Sequence, residues 1–304
     1  MLRLAGSRAR TRRGAFAVAL AAVATVVLSG CGGDPPSASS GEADRFDAAR
    51  AFALIERQVD VGQRPAGSPQ LRHLAEGLRL LLPNGRFEPL PGEPGLRNVV
   101  GTLPGRQPAI VVGAHYDTLV KPRGFVGANN GAAGTAVVIG VSQALRRLSP
   151  DPEARQVSFV LFDGEEPPDG LPEEGSDFYS EGLRGSRAYV AAHPGETSAM
   201  VLLDYVGNRG LRLLREGNST EDLWSRVLIA AEAVGAQRFF SSKTGLAIID
   251  DHVPFLRAGV PAVDLIDWSY PGHSLADRLD KISRRSLDAV GETIVRLVEE
   301  LRAE

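Results

Sequence analysis

Five short apolar runs, each bounded by glycine, proline or charge, constrain this chain more than any other feature. They are "NVVGTL", "AIVVGAH", "QVSFVLFDGEE", "AMVLLDYVG" and "VPAVDLI". Each is too short for a helix and too continuously apolar for a half-solvated strand, so each reads as a strand buried on both faces. Between them lie stretches of helical spacing. From Asp44 to Val59, Phe46, Ala49, Phe52, Ala53 and Ile55 recur on one side, and near Gln70 to Leu82 the stripe is Leu71, Leu74, Leu78 and Leu81. "GAAGTAVVIGVSQALRRL" reads as a helix whose small first turn can pack closely on a sheet. "TEDLWSRVLIAAEAVG" follows a candidate cap at Thr220, "DHVPFLRAG" is short, and "SRRSLDAVGETIVRLVEELRAE" closes the chain from Ser283. Buried strands alternating with helices predict an α/β fold, a single domain with a mostly parallel central sheet flanked by helices on both faces. The 304 residues, 43% hydrophobic and 23% charged, suffice for one such domain at 44–304. The net charge of −3 with scattered arginines provides no basic stripe, and nucleic acid is not an expected partner.

The first forty residues differ. Arg8, Arg10, Arg12 and Arg13 precede "GAFAVALAAVATVVLSG", an apolar run of export-signal length. The run ends in "LSGC", which resembles the lipobox of bacterial lipoproteins. That resemblance implies a lipoprotein signal peptide over 1–30, lipidation of Cys31 and a flexible tether over 31–43, "GGDPPSASSGEAD" included. Cys31 is the single cysteine, so no intramolecular disulfide is available. The expected location is outside the cytoplasm, with the domain lipid-anchored to the bacterial cell membrane.

In parallel sheets ligands bind beyond the carboxyl ends of the strands. Here those ends carry His115 and Asp117, then Asp163, Glu165 and Glu166, then Asp204, with His273 after the last strand. Imidazoles and carboxylates from separate strands suit a divalent ion, zinc the best match. No G-x-S-x-G elbow is present, which disfavours a serine hydrolase.

The segments "GQRPAGSP", "NVVGTLPG", "VVGAHYDT", "GANNGAAGTAVV", "FDGEE", "GLRGSRAYV", "LLDYVG" and "DDHVPFLRAGVPAVDLI" with "GHS" run in order from about Asp44 to the C-terminus. Together they resemble the M28 family of zinc exopeptidases, which includes aminopeptidases and the animal-type glutaminyl-peptide cyclotransferases. The resemblance implies a zinc-exopeptidase, phosphorylase/hydrolase-like fold acting at peptide or protein N-termini. It also implies a metal site at His115, Glu166, Asp204 and His273, with Glu165 as general base and Asp117 orienting His115. The remaining family ligand, an aspartate, falls on Asn130. In aminopeptidases that aspartate bridges two metals; in the cyclases it is one of three ligands on a single zinc. A neutral amide cannot screen two cations about 3.5–4 Å apart, so one zinc ion is expected rather than two.

Three functions follow from the resemblance. The first is aminopeptidase-type hydrolysis. The second is cyclisation of N-terminal glutamine to pyroglutamate. The third is a metal-depleted lipoprotein that binds peptides without turning them over. Asp250 stands where the cyclases carry a proton-shuttling acid, with Asp251 beside it in the surrounding shell, and residues 167–181 form an insertion as in the cyclases. Against cyclisation, no tryptophan follows GEE in "PPDGLPEEGSDFYSE", and Gly272 replaces the tryptophan before the late histidine. The balance falls on the exopeptidase. Trp268 and Tyr270 are the candidate substrate wall. His73 and His193 are read as surface residues, and His252, which follows two acids at a helix start, either as part of the surrounding shell or as a cap neighbour only. The insertion's Glu173, Glu174 and Asp177 read as a solvated acidic loop.

Overall fold

The structure, a computed structural model, describes residues 44–147, 151, 153–171 and 176–304. The signal segment, the tether, Cys31, Glu173 and Glu174 lie outside the described residues. Eight strands and eight α-helices are found among them: α1 Ala48–Asp60, α2 Pro69–Leu81, β1 Arg86–Pro89, β2 Arg97–Leu103, β3 Arg106–His115, α3 Ala132–Arg146, β4 Arg155–Phe162, α4 Ser176–Glu181, α5 Arg184–Ala192, β5 Thr197–Asp204, β6 Leu213–Arg215, α6 Glu221–Ala233, β7 Phe240–Thr244, α7 Val253–Arg257, β8 Ala262–Ile266 and α8 Arg284–Arg302. The main sheet has the order β1-β2-β4-β3-β5-β8, and β6 pairs with β7 in a small second sheet. The pairs β4·β3, β3·β5 and β5·β8 are parallel, whereas β1·β2 and β2·β4 are antiparallel. The expected mostly parallel sheet is therefore present, with an antiparallel margin formed by "NVVGTL" and β1.

Alternation along each strand divides the core between the two faces, as the period of two requires. Ile110, Val112 and Ala114 of β3, Phe159 and Leu161 of β4 and Val201 and Leu203 of β5 join the large cluster shared with α1, α2, α3, α6 and α8. Val111, Val160, Phe162, Met200 and Leu202 face the other way, where Tyr189 of α5 and Phe255 of α7 cover them. On the first face α3 lies tight against the sheet, because Gly134 has no side chain. A Cβ there would stand 2.1 Å from the Leu203 carbonyl oxygen of β5 and 3.0 Å from Ala114 Cβ.

The caps follow from local chemistry. Asp47 accepts from the amide of Arg50, Ser68 from that of Leu71 and Ser283 from that of Ser286, so α1, α2 and α8 begin on side-chain caps. Helix α1 accordingly starts four residues later than the apolar spacing from Asp44 predicts. Thr220 occupies the cap position before α6 without a capping side-chain bond, since its hydroxyl accepts from the amide of Ala262 of β8 instead. The residues before α1 are fastened to the domain. Phe46 is buried between α3 and α8, where a Cβ on Gly140 or Gly291 would approach its ring to 2.4 or 2.3 Å. Glu292 of α8 accepts from the amides of Arg45 and Phe46 at 2.6 and 2.5 Å. Among the described residues no helix is long and apolar enough to cross a membrane.

Candidate active site

Strands β3 and β5 are neighbours, yet the chain reaches β4 on the far side of β3 between them. This reversal opens a crevice at their carboxyl ends, where His115 closes β3 and Asp204 closes β5. His115 Nε2 lies 3.5 Å from Asp204 Oδ1; its Nδ1 lies 3.5 Å from Asp117 Oδ1 and 3.7 Å from Glu165 Oε2. Across the crevice, His273 Nε2 is 3.8 Å from Glu166 Oε1. Of the residues singled out in the sequence, His115 thus faces Asp117, Glu165 and Asp204, and His273 faces Glu166.

The turn holding Glu165 and Glu166 is clamped on both sides. Asp117 accepts from the amides of Glu165 and Glu166 at 3.3 and 3.2 Å. Arg184 donates to the carbonyls of Gly164 and Glu166, and the amides of Leu183 and Arg184 bind the carbonyls of Glu165 and Gly164. Asp117 therefore holds the acid turn as well as standing beside His115.

The two amides of "GANNG" have separate tasks. Asn129 is structural: its oxygen accepts from Gly207 and its nitrogen donates to Asn208, tying the loop to the chain beyond β5. Asn130 donates from Nδ2 to Glu166 Oε1 at 2.9 Å and to the Tyr205 hydroxyl at 3.3 Å. Because an ionised carboxylate only accepts, Glu166 fixes which end of the amide faces it. Asn130 Oδ1 is left buried without a partner, as is His115 Nδ1. Both backbone amides of the loop, Asn129 and Asn130, donate to Asp277. Buried Arg64 donates to the carbonyls of Val126 and Gly127, with Asp277 and Asp117 as its counter-charges.

Asp277, Arg64 and Tyr205 were not legible as site residues. Asp277 sits in the polar segment "GHSLADRLDK", and nothing local shows that it reaches the ligand loop. Tyr205 depends on backbone shape: its φ is +45°, a left-handed conformation that costs an aromatic residue of order 1–3 kcal/mol. Its ring fills the space above Gly272, where a Cβ would come within 2.3 Å of Tyr205 Cζ. A tryptophan at position 272 has no room here. Tyr205 stacks on Trp268 with centroids 6.3 Å apart and lies 5.8 Å from Tyr270. Together with Pro271, Gly272, His273 and Ser274 they line a cavity of about 300 Å³. Trp268 on this cavity is 42% exposed. Tyr270 shares the cavity, with its hydroxyl held by Asp277 at 2.7 Å.

Behind the crevice is a second acidic layer. Asp250 and Asp251 are buried; Asp251 accepts from the Ser186 hydroxyl, and its amide donates to Asp250. His252 is fully buried, with Nε2 3.0 Å from Glu216 and Nδ1 3.8 Å from Asp264. His193 is half-buried between Glu88 and Glu196, and His73 is exposed on α2. In the insertion Asp177 is exposed, while Phe178 is buried and Tyr179 lies beneath the Arg257 guanidinium at 3.4 Å.

The carboxyl groups of Asp117, Asp163, Glu165, Glu166, Asp204, Asp250, Asp251 and Asp264 are all buried. Burial pushes Glu166 up to about 7, with His273 and His115 pulling against it. Burial, and then the charge of Glu166, raises Glu165 well above the usual carboxylate range. Burial with Asp204 brings Asp250 to about 6, and burial with Asp117 brings Asp163 to about 7. Burial opposes a charged His115, yet Glu165, Asp117 and Asp204 outweigh it and raise its pKa. So many buried acids call for a cation. Two imidazoles, two carboxylates and the orphaned Asn130 oxygen form a donor set that fits a divalent ion. Among the described residues no three acid or histidine donors here lie within 4.8 Å of one another; the one such trio, Asp44, Asp288 and Glu292, is partly exposed and beyond the crevice.

Residues 98–298, more than half of the chain, match the profile of Peptidase family M28. The chain belongs to this family. A glutaminyl-peptide cyclotransferase of Gloydius blomhoffii is 26% identical over 280 residues, spanning 79% of this chain and 76% of that protein. The crystal structure of an Acidobacteriales bacterium glutaminyl cyclase superimposes with a TM-score of 0.73 at 26% identity, over 90% of this chain and 99% of that one. A structure described as a leucine aminopeptidase precursor from Bacteroides thetaiotaomicron gives 0.70 at 25% identity, over 83% and 97%. The M28 match and the fold agree on an α/β enzyme.

Proposed function

We propose that this M28 protein is a zinc-dependent exopeptidase that removes residues from peptide N-termini. The observation that carries this reading is the clamped Glu165–Glu166 turn, with one acid beside His115 and the other beside His273. His115, Glu166, Asp204 and His273 would hold the metal, with Asn130 contributing at most its neutral oxygen, and one ion is favoured over two. Bound there, zinc supplies Lewis acidity towards a peptide carbonyl and lowers the pKa of water. Glu165, kept in place by Asp117 and made more basic by burial and Glu166, takes a proton from the attacking water and passes it to the departing amine. The aromatic cavity beside His273 receives the substrate's first side chain.

Cyclisation of N-terminal glutamine is the second reading. It is favoured by buried Asp250 and by two of the three similar proteins named above, a glutaminyl-peptide cyclotransferase and a glutaminyl cyclase. In that reaction Glu165 carries a proton from the α-amine to departing ammonia, and no water attacks. One experiment separates the two: zinc-loaded protein is offered aminoacyl arylamides and, separately, glutaminyl peptides, with Glu165→Gln as control. Arylamine release lost in the variant supports the exopeptidase. Pyroglutamate without arylamine release replaces it with the cyclase. Neither product, with no stoichiometric zinc, leaves the peptide-binding lipoprotein.

The location is proposed on sequence grounds alone. The basic start, the apolar run and "LSGC" support export and lipid anchoring through Cys31. Mass spectrometry of the mature N-terminus reads this directly, and an unmodified Cys31 would refute it.

A further inference from the structure

Tyr205 joins the aromatic cavity to the ligand loop. Tyr205 has a left-handed backbone, and its ring packs against the bare Gly272 backbone. Trp268, Tyr270 and the edge of His273 then surround it at centroid distances of 6.3, 5.8 and 6.2 Å. A bulky residue persists in such a conformation only where its surroundings over-determine it, and this happens chiefly at functional sites. The ring is 3% exposed, yet it lines the cavity beside His273. Its hydroxyl accepts from Asn130 Nδ2, the same nitrogen that donates to Glu166.

A phenol carries one proton and accepts through its lone pairs. Asn130 fills an accepting position, and among the described residues no acceptor takes the Tyr205 proton. The hydroxyl is thus a donor held ready at the boundary between the aromatic cavity and the acid–histidine pairs. Asn130 contributes to this arrangement: an ionised aspartate at position 130 would accept, and would draw the phenol proton to itself.

We propose that Tyr205 is a catalytic residue, its hydroxyl donating a hydrogen bond to the substrate's scissile carbonyl oxygen. That bond strengthens as the oxygen gains negative charge during attack and relaxes when the carbonyl re-forms and the amine departs. This inference rests on the exopeptidase reading. A donor preorganised in a water-poor site acts mainly on the transition state, so it governs kcat more than KM.

The test is Tyr205→Phe, which keeps the ring and its packing. Zinc content is measured by elemental analysis, kinetics with aminoacyl arylamides, and affinity for an aminoalkyl boronic acid by calorimetry. The boronate's tetrahedral anionic oxygens imitate the charged carbonyl oxygen. The expected result is a kcat lower by roughly 10²-fold with KM little changed. Boronate affinity falls in parallel, and zinc content stays at the wild-type level. Equal kcat and equal boronate affinity in the two proteins overturn the proposal. If the variant loses zinc or unfolds, ring-fluorinated tyrosines placed at 205 decide: a donor role makes kcat follow phenol acidity, and a kcat indifferent to fluorination overturns it. A wild-type protein that neither cleaves arylamides nor binds the boronate removes the exopeptidase reading, and this proposal with it. Boronate binding that is equal in wild type and variant removes this proposal alone.

Discussion

Asn130 makes its strongest contact through nitrogen, donating to Glu166 across 2.9 Å. Replacing it with aspartate sets two carboxylates at that separation, a repulsion that only a proton or a cation relieves. Asn130→Asp should therefore lower the melting temperature in chelator and enlarge the upward shift on adding zinc, with more zinc retained by elemental analysis. A variant whose melting is unchanged in chelator would show that Asn130 does not face Glu166 as described. Asp277 is the loop's other anchor. Asp277→Ala leaves the Asn129 and Asn130 amides and the Tyr270 hydroxyl without their acceptor, and charged hydrogen bonds of this kind are each worth about 1.5–3 kcal/mol. Urea unfolding should show a loss of that order, and zinc affinity should weaken too. These residues also mark the limit of sequence reasoning. His115, Glu165, Glu166, Asp204 and His273 announce themselves because each follows an apolar run or a motif. Asp277, Arg64 and Tyr205 act through contacts 62 to 148 residues away or through one dihedral angle, which no local pattern carries.

At the scale of elements, two helical glycines make opposite cases. Gly134 of α3 touches β5, and an added Cβ collides with the Leu203 carbonyl at 2.1 Å; Gly77 of α2 faces open space. Gly134→Ala should force the helix off the sheet and cost about 1–3 kcal/mol. Gly77→Ala should stabilise by about 0.5–1 kcal/mol, because alanine is the better helix former and restricts the unfolded chain. Denaturant midpoints of the two variants moving in the same direction would contradict this packing. The small-residue turn of α3 was readable because a glycine and alanines at a helix start can serve close approach. Strands β1, β6 and β7 were not: "RFEP", "LLR" and "FSSKT" are short and largely exposed or half-buried, and they lack the apolar continuity that identified the central strands.

For the whole molecule the buried acids set the response to pH. Asp163 and Glu166 titrate near 7 and Asp250 near 6 in the folded chain, against about 4 when unfolded. Between those values the folded state holds protons that the unfolded state has released. Stability therefore falls as pH rises through that window. Metal-free protein should melt at a lower temperature at pH 7.5 than at pH 5, and zinc should raise melting more at pH 7.5, where it meets ionised carboxylates. Scanning calorimetry in chelator and in zinc checks both signs; a metal-free melting temperature that rises over this range would sink the account.

The Phe46 seat gives the domain a mechanical point of attachment. Traction applied at Asp44 meets Arg45 and Phe46 first, where the ring is wedged between α3 and α8 and the backbone is bound to Glu292. Gly140 lies nine residues along α3 from Gly131, about 14 Å of helix from the ligand loop. A tug on the N-terminus is thus borne as shear between two helices, and the carboxyl ends of β3 and β5 stay unloaded.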